Sequence, residues 1–371
     1  MVNLPFKGEA LKSLHPNCKE SENRSQANPV KRKSSRGKLE KTYWGYIFIA
    51  PFFIVYAVFQ LYPLIDTFYL AFQKYMITGT NKVIGPTFNG IGNFQQIFKA
   101  AGSSAIPKVV QVFENTAVMW IINFIPQMLV ALLLAKWFTD TRFKIRGQGA
   151  IKVMVYMPNI ITAASISMLF YALFAYPQGP VNSILASLGV IDQATYLNSG
   201  VAATVAIPFL EKGWAVRLIV AFINFWRWYG NTMIVLVAGI LGINPSLFEA
   251  AQVDGASGGQ TFRYVTLPLL RPIMLYTLVT SLIGGMQMYD IPAMMQQQGS
   301  PAKEMTQTVT MYIQELVNTG TKDYGRSAAV SVCLFLVTAI FSIILFYIMR
   351  DRDAAAQKKA VKAARKGVVK A

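Results

Sequence analysis

Charge and metal-binding chemistry are scarce in this chain. Only 14% of its 371 residues are charged, whereas a soluble domain carries about 25%. There is one histidine, His15, and there are two cysteines, Cys18 and Cys333. No zinc or iron site can be built from that inventory without recruiting carboxylates. With its single histidine in a polar tail, the chain cannot set an imidazole beside a nucleophile in an apolar core. The GxxxxGK[ST] pattern is missing, so the chain does not cradle a nucleotide phosphate in a P-loop. No apolar run precedes residue 43, so neither a cleavable signal peptide nor a lipid anchor at Cys18 is expected. Acids are few in the apolar text. Asp66, Glu114 and Asp290 lie at or near the ends of runs, which argues against a proton or sodium antiporter with ionisable groups deep in its bundle.

Apolar residues, in contrast, make up 54% of the chain, and six stretches are long enough to cross a bilayer: 43–72, 112–138, 150–174, 219–243, 267–288 and 328–349. A helix needs roughly 20 residues to do so. A seventh run, 201–210, is too short and is placed outside the membrane core. The net charge of +18 is not a nucleic-acid footprint, because it is concentrated beside these stretches. Of the 35 Lys and Arg, ten fall in residues 1–42 and eight in 350–371. Others (Lys136, Arg142, Lys144, Arg146, Lys152, Arg263 and Arg271) follow the second and fourth stretches. With six crossings these segments share one side, and the positive-inside rule makes it the cytoplasm, with both termini there. A disulfide between Cys18 and Cys333 is then excluded by a reducing compartment.

Residues 1–42 read as a disordered basic tail, with KRKSSRGK at 31–38 against anionic headgroups, and 350–371 as a second basic tail. Residues 43–349 form the membrane domain, and its long loops, 78–111, 176–217 and 291–327, all lie on the outer side. Pro51, Pro63, Pro126 and Pro158 fall in or near apolar runs, where prolines kink membrane helices.

The stretch EAAQVDGASGGQTFRYVTLPLLRPIM, residues 249–274, interrupts the apolar text on the basic side. Ser246 with Glu249 has the spacing of a capping box, which predicts a short helix over 247–253. Asp254-Gly255 ends it, because glycine accepts a left-handed backbone. A second short helix is expected over 260–265, and Pro268 opens the next span. Glu249, Ala250 and Ala251 leave one anion and little bulk, the features of a knob that inserts into a groove of another protein. The fourth apolar stretch carries a different set: Asn224, Trp226, Arg227, Trp228, Tyr229 and Asn231. Aromatic and polar side chains mixed at helical spacing are candidates to line a ligand site, and polar side chains facing lipid are costly. Gly284-Gly285 in the fifth stretch leaves room for a ligand or for close helix packing. Asn123 and Gln127, one turn apart in the second stretch, are further candidates.

EAAQVDGA followed by FRYVTLPL resembles the EAA loop of permease subunits of binding-protein-dependent ABC importers, and among these the carbohydrate permeases. FNGIGNFQQIF (88–98), MPNIITAASISMLFYALF (157–174), GPVNSILASLG (179–189) and FWRWYGNTMIVLVAGILGINPSLFEAA (225–251) are similar to that group as well. The resemblance covers about residues 40–350. One departure is QQQGSP at 296–301, where the group has a glycine-rich TGGGP; only Gly299 and Pro301 agree.

The resemblance implies an all-α integral membrane protein of the type I ABC importer permease fold, with six transmembrane helices and a cytoplasmic coupling helix in residues 244–266. It implies that Glu249, Ala250, Ala251, Asp254 and Gly255 engage an ATPase. It also implies that Trp228 and Asn231 touch a sugar and that Gly285, Gln287, Met288 and Asp290 cover a second contact segment, beside Asn224, Arg227 and Tyr229. The chain itself binds no cofactor, and ATP-Mg belongs to a pair of cytoplasmic ABC ATPase subunits. The other implied partners are a second EAA-type permease, an extracellular or periplasmic solute-binding protein, a sugar substrate and membrane lipids, in a bacterial cytoplasmic (inner) membrane. Three other readings compete. One is a permease for an anionic solute, such as glycerol phosphate or an acidic oligosaccharide, held by Arg227 and Arg217. The others are a self-sufficient secondary transporter and a membrane enzyme.

Overall fold

The computed structural model describes residues 43–100, 106–140, 146–198, 200–297 and 303–349. Both tails, with His15, Cys18 and KRKSSRGK, lie outside the described residues, as do Arg142, Lys144, Gly299 and Pro301. The chain divides into two units, residues 1–63 and 64–371. In the first, helix α1 (Tyr43–Tyr56) runs into a π-helical turn at Ala57–Leu61. Helix α2 (Tyr62–Ala71) carries the chain into the second unit.

The second unit is predominantly helical. Helix α3 (Lys108–Thr139) is 32 residues long, about 48 Å at 1.5 Å per residue, well beyond the ~30 Å apolar thickness of a bilayer. Helix α4 (Gln148–Ile160) and helix α5 (Ala163–Leu173) follow, then α6 (Gly213–Leu241), α7 (Pro245–Val253) and α8 (Gly258–Leu269). Beyond them lie α9 (Arg271–Met286), α10 (Asp290–Gln297), α11 (Val309–Asn318) and α12 (Tyr324–Met349). Among the described residues, three helices are long and apolar enough to cross a membrane: Tyr46–Ala71, α3 and α12. The number rises to six if each of three bent pairs counts as one span.

The bends have local causes. The stretch 150–174, expected to be continuous, breaks by 88° between α4 and α5. Pro158 lies in a terminal 3₁₀ turn, and the Thr162 hydroxyl accepts from the Ser165 amide at 3.2 Å, starting a new helix. At the second bend, 74°, α6 ends at Gly242 and α7 starts at Pro245. Ser246 and Glu249 do not form the expected capping box there. The Asn244 side chain takes the cap instead, accepting from the Ser246 amide at 3.1 Å. A capping box does occur one helix later, between Ser257 and Gln260. The short helix expected over 260–265 therefore begins at Gly258 and passes into a π-helical turn at Phe262–Thr266. The third bend, 65°, separates α8 from α9, with Pro268 and Pro272 on either side.

The expectation of an all-α chain is corrected at one end of the bundle. Strands β1 (Gln73–Ile77), β2 (Val83–Phe88) and β3 (Lys322–Asp323) form an antiparallel sheet in the order β2-β1-β3. The Asn93 side chain ties it down, donating to the carbonyls of Ala71 (2.9 Å) and Gln73 (2.7 Å). These strands lie outside the apolar stretches, in text too polar and too short to show a period-2 pattern. The run 201–210 forms no span: Ala202–Val205 is a short helix packed on Ala186 and Tyr196.

The core runs along α3 and α6. Near α7, Ala131 and Ala135 pack against Met233, Leu236 and Ile240; midway, Met119 meets Val220 and Ile223; toward the sheet, Val109 and Val112 meet Leu282, Val309 and Ala329. Small residues permit the close approach. A Cβ at Gly230 would strike the Val155 carbonyl, so α6 lies directly on the α4 backbone. At the sheet end, buried side chains staple the segment 304–309 to the helices. Asn115 donates to the carbonyls of Glu304 (2.8 Å) and Gln307 (3.1 Å), and Thr116 Oγ1 accepts from the Val309 amide (3.1 Å). Arg217 donates to the Met305 carbonyl (2.6 Å) and to Asn115 Oδ1. Asn115→Ala removes all three Asn115 bonds at a fully buried site. We expect a loss on the order of 1–3 kcal/mol, seen as a lower Tm in detergent with the protein still inserted.

Candidate functional site

Halfway along the bundle, α3, α6, α9 and the start of α10 enclose a cavity of about 450 Å³, within the range of small-molecule sites. Helix α3 contributes Trp120, Asn123 and Gln127; α6 contributes Asn224, Arg227, Trp228, Asn231 and Thr232. From α9 come Tyr276, Thr277, Thr280, Ser281, Gly284 and Gly285, followed by Gln287, Met288 and Asp290. On α6, positions 224, 227, 228 and 231 follow the i, i+3, i+4, i+7 spacing of a single helix face.

Several of these polar groups are already partnered. Gln127 donates to Thr232 Oγ1 at 2.7 Å, joining α3 to α6, and Trp120 Nε1 donates to Ser281 Oγ at 3.3 Å, joining α3 to α9. Asn123 returns a bond to the Met119 carbonyl (3.2 Å). Asn224 donates to Val220 O (3.0 Å) and lies 3.6 Å from Met288 Sδ. Asn231 and Arg227 differ. Among the described residues the Asn231 side chain has no hydrogen-bond partner, and the buried Nε of Arg227 has none either. The guanidinium lies 5.9 Å from the Trp228 ring centroid. The cavity thus combines an aromatic face, amides, hydroxyls and a cation with unused donors.

Most residues singled out from the sequence meet here: Asn224, Arg227, Trp228, Asn231, Gly285, Gln287, Met288 and Asp290, together with Asn123 and Gln127. Tyr229 does not. Its ring packs on Phe225 at 5.5 Å, because one residue past Trp228 the helix has turned about 100° from the cavity. Arg217 is also elsewhere, in the staple at the sheet end. The two adjacent glycines divide the roles left open for them. A Cβ at Gly285 would run into the Trp120 ring, whereas one at Gly284 meets open space. Thr277, Thr280 and Ser281 on α9, not singled out from the sequence, join Gly284 along the cavity wall.

At the far end of α6, the loop at 244–266 forms the turn expected of it. Gly255 has φ +74°, the left-handed conformation that favours glycine. Glu249, Ala250, Asp254 and Gly255 are exposed. Ala251 is buried within the chain, so it cannot share a contact face with Ala250. The exposed side of α7 instead carries Leu247 and Val253, the latter 88% exposed. Glu249 also borders a cleft of about 420 Å³ with Lys136, Gln252 and Phe262, where Lys136 Nζ lies 5.2 Å from the Phe262 ring.

The chain is similar in sequence and in fold to known proteins. Residues 115–353 match the family described as "Binding-protein-dependent transport system inner membrane component". The chain is 30% identical to the lactose transport system permease protein LacF of Rhizobium radiobacter, over 86% of this chain and 99% of the relative. It is 24% identical to the trehalose/maltose transport system permease protein MalF of Thermococcus litoralis, over 86% of this chain and 98% of the relative. Among solved structures, it is similar in fold to a chain of a bacterial ABC transporter involved in import of the acidic polysaccharide alginate. The TM-score is 0.67 at 22% identity, covering 83% of this chain and 95% of that one.

The glycine pair gives a direct check on the cavity wall. Gly285→Ala should displace the Trp120 indole and change its fluorescence, while Gly284→Ala should leave it unchanged. Difference spectra against the same substitutions in a Trp120→Phe background isolate that ring.

Proposed function

The chain belongs to the binding-protein-dependent transport system inner membrane component family, and from that membership we propose that it is the permease subunit of an ATP-driven importer of a sugar or oligosaccharide. The observation that carries the substrate class is the mid-helix cavity, where the Trp228 ring and the unpartnered Asn231 amide lie on one face of α6. A saccharide needs a flat apolar surface for its ring and both donors and acceptors for its hydroxyls, and an amide supplies both. The named functions of the relatives, lactose and trehalose/maltose transport, support the same class.

ATP hydrolysis belongs to separate chains in this reading, since no P-loop is present in the sequence. Each bent helix pair contributes one span, giving six; in the second pair α6 is the part that crosses, and α7 and both tails lie on the cytoplasmic side by the positive-inside rule. Helix α7 is the coupling helix. Leu247, Ala250 and Val253 form its apolar contact strip, at i, i+3, i+6, and Glu249 its anion. Closure of a pair of ATPases draws α7 toward its counterpart on a second, different permease and switches the cavity from inward- to outward-facing. Trp228, 43% exposed in the single chain, marks the side of the cavity that this second permease closes. A solute-binding protein delivers the sugar from outside; one solved relative is described in complex with its pentasaccharide-bound periplasmic protein.

Two sets of variants test the reading. Glu249→Lys places a cation where an anion docks, and Gly255→Asp strains a left-handed turn by on the order of 1 kcal/mol. Both should reach the membrane in normal amount yet lose ATPase co-purification and uptake. Normal uptake by both would remove α7 from the coupling role. Trp228→Ala and Asn231→Ala should assemble with partner subunits and retain basal ATP hydrolysis, with transport reduced about tenfold or more. Wild-type transport by both would place the cargo path elsewhere.

A further inference from the structure

Arg227 is the middle residue of the 29-residue helix Gly213–Leu241. A cation at the centre of a membrane-spanning helix costs a few kcal/mol and is kept where it faces a cavity or a partner charge. Arg227 faces the cavity, but among the described residues no carboxylate forms an ion pair with it. Its Nε is buried without a hydrogen-bond partner, although leaving such a donor unmet is unfavourable. The Trp228 ring, 5.9 Å away, offers only a face-on attraction. The residue's backbone is held by Asn159, whose Nδ2 donates to the Arg227 carbonyl at 3.2 Å. Asp290 borders the same cavity but sits in the first turn of α10, where the helix N-terminus complements its charge. Arg217, the other arginine of α6, is consumed by Met305 and Asn115.

We infer that Arg227 makes the cavity selective for saccharides bearing a carboxylate, of the uronic-acid type. Nε is closed off, but the guanidinium lines the cavity, and its two terminal Nη–H groups, without a partner among the described residues, form a planar pair that matches the two oxygens of a carboxylate. With the acid engaged there, the pyranose ring lies toward the Trp228 face and its hydroxyls toward Asn231. A phosphate on a short polyol would use the charge but not the ring surface. The inference rests on the saccharide reading above and adds the charge of the cargo.

The test uses the complete importer in lipid nanodiscs, with tryptophan fluorescence as the readout of the cavity. The probes are tri-uronates of galacturonic, glucuronic and mannuronic type, the same trisaccharides after carboxyl reduction, and glycerol 3-phosphate. We expect at least one tri-uronate to bind about tenfold more tightly than its reduced form, the size of one charge-assisted contact. Arg227→Gln should erase that difference by weakening the acid alone, and Arg227→Lys should keep part of it, as a point charge without the fork. If the reduced sugars bind as tightly as the acids, and Arg227→Gln weakens both equally, the inference is overturned and the saccharide reading stands. If only glycerol 3-phosphate binds, the saccharide reading fails with it. If no tri-uronate binds, the inference is overturned.

Discussion

Inside an apolar span a polar group has no water to return to, so it must be satisfied by the protein itself or by a cavity. The arrangement of α3, α6 and α9 follows from how that requirement is met. Gln127 reaches Thr232, and Trp120 reaches Ser281. These two bonds join the three helices around a space that they do not fill. Asn115 and Thr116 meet the same requirement at the sheet end by binding the backbone of 304–309. On α6, Arg227 and Asn231, whose side chains have no hydrogen-bond partner among the described residues, face the cavity. Packing then adjusts to this frame, with Ala131, Ala135 and Gly230 small where helices cross closely.

Much of this frame was legible in the sequence, because mean hydropathy over twenty residues is a strong signal and polar residues inside such text stand out. Asn224, Arg227, Trp228 and Asn231 could be singled out for that reason, and the structure brings them to one cavity. Tyr229 fell with them only because the eye reads neighbours together; a helix turns it away to Phe225. The α9 stripe was hidden because threonine and serine return their hydroxyls to their own helix, as Thr277 does to Ile273 at 2.9 Å, and so blend with apolar text. Bends were the least legible feature. Hydropathy does not register a cap, and the side-chain caps of Thr162 and Asn244 stand at two of the bends.

The sequence also misled where two candidates for one role lay close together. Ser246 with Glu249 and Ser257 with Gln260 both have capping-box spacing, and only the second pair forms the box. At the first, Asn244 precedes Pro245, whose fixed φ already suits a first helical turn. The cap moves back accordingly, and Glu249 is left exposed. A side chain freed from capping is free for a partner, which is why the displacement matters for α7 as a whole.

The two ends of α6 are fastened in different ways, and the difference constrains how the helix can move. At the sheet end Arg217 grips Met305 and Asn115, while at the other end a capped elbow of three residues joins α6 to α7. A rod held by a side-chain clamp at one tip and a short capped elbow at the other resists spinning about its own axis. That restraint keeps the stripe of Asn224, Arg227 and Asn231 facing the cavity. A ligand resting on that stripe would therefore keep the same neighbours on α6.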